Sequence, residues 1–247
     1  MAQYLAQQGA ELLLLGRTPE KVNALRDQII AEGGKASGYY ADVTDEESLE
    51  KVKSLIESQY GSIAVLINAA GGNMPGAVIR PEQTFLDLDN DALRQVMDLN
   101  YLGTVFPVKV FLPLLLKNGG GTILNISSMA ASRPMTRVVG YASAKAAIDN
   151  LTKWLAVELA SKHGPSFRVN ALAPGFFLTE QNRTLLTQED GSLTQRGTQI
   201  IGHTPMNRFG HPDDLLGALH WLCSDASKFV TGTTVAVDGG FSAYSGV

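Results

Sequence analysis

Cysteine is almost absent: Cys223 is the single one in 247 residues. A lone thiol excludes an internal disulfide and fits a reducing compartment. Basic residues are not in excess. Lys and Arg number 20 against 24 Asp and Glu, a net charge of −4, with a sequence pI of about 5.6. A nucleic-acid partner would want a basic face, so none is expected. No apolar run approaches the ~18 residues of a membrane span. The greasiest stretch, Val105 to Leu116, is broken by Lys109 and by Pro107 and Pro113. The first ten residues, M-A-Q-Y-L-A-Q-Q-G-A, have neither the basic region nor the apolar core of a signal peptide. The expectation is a cytoplasmic protein that acts on a small molecule, with no membrane partner and no resident metal.

Apolar residues make up 45% of the chain and charged residues 18%, a globular balance with enough apolar surface for a real core. Strand and helix patterns alternate almost throughout. Glu11 to Leu15 is a short apolar run ended by Gly16, and Thr18-Pro19-Glu20 opens a helix with proline at its first position. Ser37 to Ala41 reads as the next strand. Thr44-Asp-Glu-Glu47 has the form of a capping box before a helix that stops at Gly61. A buried strand at Ile63 to Ile67 precedes a long helix from about Asp89 to Lys117. Gly121 to Ile126 is a strand, Ala142 to Lys162 a helix and Phe167 to Leu172 a strand. Residues 182–208 are polar and weakly periodic, so mostly loop with short helices. Pro212 to Ser224 is a helix and Thr234 to Val237 the last strand. Continuous apolar strands separated by helices imply a parallel sheet covered on both faces. The predicted fold is therefore α/β, a Rossmann-like doubly wound sheet in one domain spanning 1–247, with no internal repeat or linker.

Ligands bind such sheets at the carboxyl ends of the strands. Polar and turn residues stand at four of these ends: Asp42, Asn68, Ser127 with Ser128, and Pro174-Gly175. Just beyond lies Y-A-S-A-K, Tyr141 to Lys145. A tyrosine and a lysine four residues apart share one helix face. A free phenol titrates near pH ~10, and an adjacent ammonium favours the phenolate. Tyr141 could then move a proton near neutrality, while Ser128 hydrogen-bonds the same substrate oxygen. Asx residues after strands also cap turns, and Y-x-x-x-K alone is a weak pattern. The convergence of strand ends carries the argument.

Together these residues resemble the short-chain dehydrogenase/reductase family over essentially the whole chain. N-A-A-G, Asn68-Ala69-Ala70-Gly71, looks like the segment that supports the sheet and approaches the cofactor. Asp42-Val43 resembles the pair beside the adenine ring. Asn100 matches a helix asparagine that joins a proton relay, and Ser128, Tyr141 and Lys145 match the catalytic set. Pro174, Gly175 and Thr179 resemble the segment that contacts the nicotinamide. The resemblance implies hydride transfer between a nicotinamide and a carbonyl carbon, with Tyr141 as general acid, Lys145 on its pKa and the ribose, and Ser128 on the carbonyl. It also implies a homotetramer built on helices near 103–117 and 142–162.

The family's glycine-rich phosphate loop has no counterpart here. It should lie between a first strand and a first helix, yet Met1 falls where that helix is already ending. The expectation is a natural protein extending upstream by about 25–30 residues, one strand and a loop of a ~30-residue unit. Otherwise Glu11 to Leu15 and Ile63 to Ile67 lose a shared neighbour, and open edges invite aggregation. Gly16-Arg17 stands where an acid would select NAD, and Arg17 could meet a 2′-phosphate. The sequence therefore favours NADP(H), with NAD(H) the alternative.

For substrate, Asn68 to Asn73, Phe176 to Arg183 and the tail after Asp238 resemble short-chain enzymes acting on sugar acids, nearest to fructuronate reductases (D-mannonate oxidoreductases). A substrate lobe is expected at about 176–210. Candidate substrate contacts are Asn73, Arg133, Gln181, Asn182 and Arg183, and Arg137, Arg196 and His203 also stand in the roofing segments. Enzymes resembling gluconate 5-dehydrogenase or 3-oxoacyl reductase are the alternatives, and a catalytically idle nucleotide-binding sensor is the alternative of another class.

Overall fold

A computed structural model describes residues 1–179 and 182–246. Its strands are β1 (Glu11–Gly16), β2 (Lys35–Tyr40), β3 (Val65–Asn68), β4 (Gly121–Ile126), β5 (Phe167–Pro174) and β6 (Thr234–Val237). Between them run α1 (Ala2–Gln7), α2 (Pro19–Ala31), α3 (Glu46–Tyr60), α4 (Asn90–Met97), α5 (Gly103–Lys117), α6 (Val139–His163), α7 (Arg183–Leu186), α8 (Gln195–Gly202) and α9 (Leu216–Cys223). All strand pairs are parallel. The hydrogen-bonded order is β2-β1 in one sheet and β3-β4-β5-β6 in another. Among the described residues, β1 and β3 pair with nothing on their inner edges, at the two strands expected to lack a common neighbour.

Side chains alternate faces along a strand, and this sets the layers. Ile123 and Val169 join Val108, Leu115, Leu155 and Leu159 beneath α5 and α6. Leu124 and Leu172 point the other way, against Leu219 and Leu222 of α9. A third cluster joins Tyr39 of β2 to Leu49, Val52 and Ile56 of α3 and to Val110, Phe111 and Leu114 of α5. Burying a Leu or Phe side chain stabilises by roughly 1.5–3 kcal/mol, so these clusters dominate the favourable side.

Two expectations shift. The capping box does not form at Thr44: Asp45 is the N-cap, accepting from the Glu47 and Ser48 backbone. Thr44 instead donates its backbone N–H and its hydroxyl to Asp42 at 2.9 and 2.7 Å. The long helix is real but not uniform, because Asp98–Leu102 forms a π-helical turn between α4 and α5. The continuous helix Asn90–Lys117 is long and apolar enough by composition to cross a membrane, yet it lies in the core, with half of its most apolar window buried.

Candidate active site

The π turn positions Asn100. One extra residue in a helical turn re-aims a side chain, and such turns concentrate at functional sites. Asn100 is fully buried. Its Nδ2 donates to the carbonyls of Gly72 (2.7 Å) and Val96 (2.8 Å), and its Oδ1 accepts from the Gly72 N–H (3.1 Å). Asn100 thus clamps the loop leaving β3. A Cβ on Gly71 would stand 2.6 Å from Asn100 Oδ1 and 3.3 Å from Lys145 Nζ. That loop, Asn100 and Lys145 therefore meet at one point.

Lys145 lies on α6 and is only 4% exposed. Its Nζ donates to the Ile126 carbonyl at the end of β4, at 2.7 Å, and sits 5.6 Å from the centre of the Tyr141 ring. Burial lowers its pKa to about 8, against an opposing pull from Asp149. Tyr141 is half-buried. Burial raises its pKa, and the Ser128 hydroxyl partly offsets this. This differs from the sequence argument: the phenol is held above its ordinary value rather than below it, because burial outweighs the Ser128 hydrogen bond, while Lys145 spends a hydrogen bond on Ile126. Ser128 caps the 3-10 turn Met129–Ala131, its hydroxyl accepting from Ala130 N–H at 3.2 Å. Ser127 is buried, its hydroxyl without a partner, and Ser128 is the serine that hydrogen-bonds the tyrosine.

Lys145 gives a pH signature. Its folded pKa lies near 8, below the ~10.4 of an unfolded chain. Below pH 8 both states carry the proton and no dependence arises. Between those values the unfolded state binds more protons, so stability rises with pH. The unfolding free energy of wild type relative to Lys145→Met, from denaturant titrations, should rise between pH 8 and 10 by of order 2 kcal/mol. A flat difference would mean Lys145 is not desolvated.

The cofactor candidates divide. Arg17, after β1, is exposed and meets Asp42 at 3.4 Å. Asp42 also accepts from Thr44, and these bonds hold its carboxylate below the usual range although burial opposes them. Val43 packs against Gly103 at the start of α5. Ala69 and Gly71 are exposed and Ala70 half-buried at the end of β3. Asn68 turns inward and donates to Asn125 at 2.9 Å. Asn125 donates to Thr152 at 2.9 Å, and Thr152 to the Ile148 carbonyl at 2.8 Å. Asn68 is therefore one end of a buried amide chain tying β3, β4 and α6, with its side chain used up there. Pro174 ends β5. Gly175 donates to Val237 at 2.9 Å, and a Cβ there would strike the Asp238 backbone at 2.6 Å.

Substrate candidates fare unevenly. Arg133 donates its Nε to the Ser242 carbonyl at 2.8 Å, and its Nη2 to the same oxygen. In this structure it ties the loop after β4 to the C-terminal tail. Asn182 accepts from the Thr179 backbone (2.8 Å) and hydroxyl (3.1 Å) and donates to Phe177 (2.7 Å). It folds the start of the lobe, and Thr179 is engaged with it. Asn73 is exposed, its side chain accepting from Met74 N–H. Arg183 is exposed at the start of α7. Gln181 lies outside the described residues. Asn125 and Asn170 were missed, although a polar residue inside an apolar strand was the available signal, and Thr152 on α6 was missed without such a signal. A cleft of about 390 Å³ opens beside the lobe, lined by Phe176, Met206, Arg208 and Asp238. It contains none of Ser128, Tyr141 and Lys145. Among the described residues no cluster of His, Cys, Asp and Glu could hold a metal.

A serine, a tyrosine and a desolvated lysine at the carboxyl ends of a doubly wound parallel sheet define an oxidoreductase of carbonyls and alcohols. A family model described as enoyl-(acyl carrier protein) reductase matches residues 1–242. The chain is 48% identical over 256 residues to UxuB, an uncharacterized oxidoreductase of Bacillus subtilis (strain 168), covering 100% of this chain and 91% of UxuB. Among solved structures it is similar to a provisionally named D-mannonate oxidoreductase of Haemophilus influenza with bound NAD, at 43% identity and a TM-score of 0.94, over 100% of this chain and 91% of that one. It is also similar to a gluconate 5-dehydrogenase of Burkholderia cenocepacia J2315 in complex with NADP and tartrate, at 30% identity and a TM-score of 0.85, over 98% and 89%. This chain belongs to the short-chain dehydrogenase/reductase family and is an oxidoreductase of that family.

Proposed function

We propose that the protein interconverts a keto and a hydroxy sugar acid, D-fructuronate and D-mannonate, with NADP(H). The observation that carries this reading is Ser128, Tyr141 and buried Lys145 meeting beside a lobe that supplies arginines. The relatives support the substrate class: one is named for D-mannonate, and another was crystallised with tartrate, itself a hydroxy acid.

The residues present fit two parts of such a cofactor. At the nicotinamide end Gly71 leaves backbone bare beside Asn100 and Lys145, and at the adenosine end Arg17 and Asp42 stand together after β1 and β2. The nicotinamide, when bound, supplies the hydride. The chain's own residues do the rest. Ser128 donates a hydrogen bond to the substrate carbonyl. Tyr141, kept protonated at neutral pH by burial, delivers its proton to the oxygen as the carbon is reduced. Asn100 and Lys145 fix the floor beneath them. Arg17 would pair with a 2′-phosphate in exchange for Asp42. We extend the proposal to a cytoplasmic homotetramer, since Trp154 and Val157 leave an apolar stretch of α6 exposed.

Initial rates with D-fructuronate, 5-ketogluconate and a 3-oxoacyl thioester, each with NADPH and NADH, test the reading. The expected result is the highest kcat/KM for D-fructuronate with NADPH. Arg17→Ala should raise KM for NADPH by about 10-fold, as expected for a charge-assisted bond worth ~1.5–3 kcal/mol, with no change for NADH. A preference for NADH would overturn the cofactor assignment. A preference for the thioester would overturn the substrate.

A further inference from the structure

The arginines near the lobe are not equivalent. Arg133 is held by the Ser242 carbonyl, Arg208 pairs with Asp214 at 2.6 Å, and Arg183 stands exposed at the start of α7. Arg137 and Arg196 are different. Arg137 lies in the loop between Ser128 and Tyr141, half-buried, with φ of 75°. A non-glycine residue in that region is strained and persists only where its surroundings impose it. Here the Ile79 N–H grips the Arg137 carbonyl at 2.9 Å. Arg196 is the second residue of α8. The Thr194 hydroxyl caps this helix at Gly197 N–H, 3.1 Å away. A Cβ on Gly197 would fall 2.3 Å from the Leu186 carbonyl, so α8 is pressed tightly onto α7. The lobe therefore presents Arg196 from a fixed frame.

The Arg196 guanidinium is in an unfavourable place. Its Nε is shielded from water and has no hydrogen-bond partner. Burial disfavours its charge first, and the Arg137 charge does so second. Among the described residues no acidic side chain pairs with either arginine. Two cations brought together in a partly desolvated place, with a donor left over, are costly unless an anion comes between them. One cation stands on the loop that carries the catalytic residues, and the other on the lobe.

We infer that Arg137 and Arg196 form a two-sided clamp for the carboxylate of the substrate, the one group that distinguishes a sugar acid from a neutral ketose. The inference rests on the sugar-acid reading above and assigns it a recognition site. Planar guanidinium forks match the two oxygens of a carboxylate. The clamp also joins the catalytic loop to the lobe.

The test is a calorimetric titration of D-mannonate and of its uncharged counterpart D-mannitol, with NADPH present throughout. Hydroxy acid and cofactor are then both reduced, and nothing turns over. Wild type should bind D-mannonate at least 10-fold more tightly than D-mannitol. Arg196→Gln and Arg137→Gln should each weaken D-mannonate by about 10- to 100-fold, the range of charge-assisted bonds. D-Mannitol affinity should stay unchanged, which reports that the variants are folded, and Arg196→Lys should fall between. Equal affinity of wild type for acid and alcohol, or variants that bind D-mannonate as wild type does, would overturn the clamp. If the arginine dependence holds but D-fructuronate is not reduced, the clamp stands and the proposed reaction falls. If D-fructuronate is reduced equally well by all variants, the reaction stands and the clamp falls.

Discussion

Tyr141→Phe lowers the rate of carbonyl reduction by about 1,000-fold, inside the ~100–10,000-fold range of general acid catalysis, and leaves cofactor affinity within a factor of about two. The substitution removes one oxygen and keeps the ring that Lys145 overlies at 5.6 Å, so packing beneath the site is preserved. What goes is the proton donor. Burial holds the phenol above its ordinary pKa, so at neutral pH it is a stocked acid for reduction and a poor base for oxidation. Oxidation, which needs the phenolate as base, should gain as pH rises toward the phenol's pKa. Single-turnover oxidation of bound NADPH separates chemistry from product release. A rate within about tenfold of wild type would remove Tyr141 from the role.

Gly71→Ala is expected to cost about 2–3 kcal/mol of stability and most of the activity. The new methyl would sit 2.6 Å from Asn100 Oδ1, closer than nonbonded atoms approach. Asn100 is fully buried and makes three hydrogen bonds, so it cannot move without leaving buried polar groups unpaired, at about 1–3 kcal/mol each. The cost should be coupled. In an Asn100→Ala background the closest clash is gone, and the same substitution should cost about 1–2 kcal/mol less, a double-mutant difference of the size seen for contacting residues, while the backbone strain at φ of 159° and the approach to Lys145 remain. Additive costs in urea denaturation would show that the two residues do not press on each other.

Both results depend on features unequally visible in the sequence. The strands were legible because parallel strands buried on both faces read as apolar runs: T-I-L-N-I and T-V-A-V gave β4 and β6 at their observed limits. The Tyr141–Lys145 pair was legible because helical spacing alone puts both on one face. Electrostatics were not. The lysine's hydrogen bond to Ile126 depends on where β4 ends relative to α6, which no local pattern encodes, and burial, which raises the phenol's pKa, is equally invisible locally. The π turn was also hidden, since D-L-N-Y-L continues the helical periodicity on both sides. Asp45 displaced Thr44 as cap because Asp42 captured the threonine, a competition between neighbouring Asx and hydroxyl groups. Arg133 and Asn182 could be placed near the lobe by sequence, but their consumption by Ser242 and Thr179 needed coordinates. The strand order follows the apolar runs, with β1 and β3 not paired to each other.

The central claim is that Tyr141, Ser128 and Lys145 reduce the carbonyl of a sugar acid with a nicotinamide hydride. The most direct measurement is mass spectrometry of the product formed from D-fructuronate and NADPH deuterated at the transferable position of the nicotinamide. The account predicts D-mannonate with one deuterium on the former carbonyl carbon, made by wild type and not by Tyr141→Phe. Unlabelled product, or labelled product in equal amount from both proteins, would contradict it.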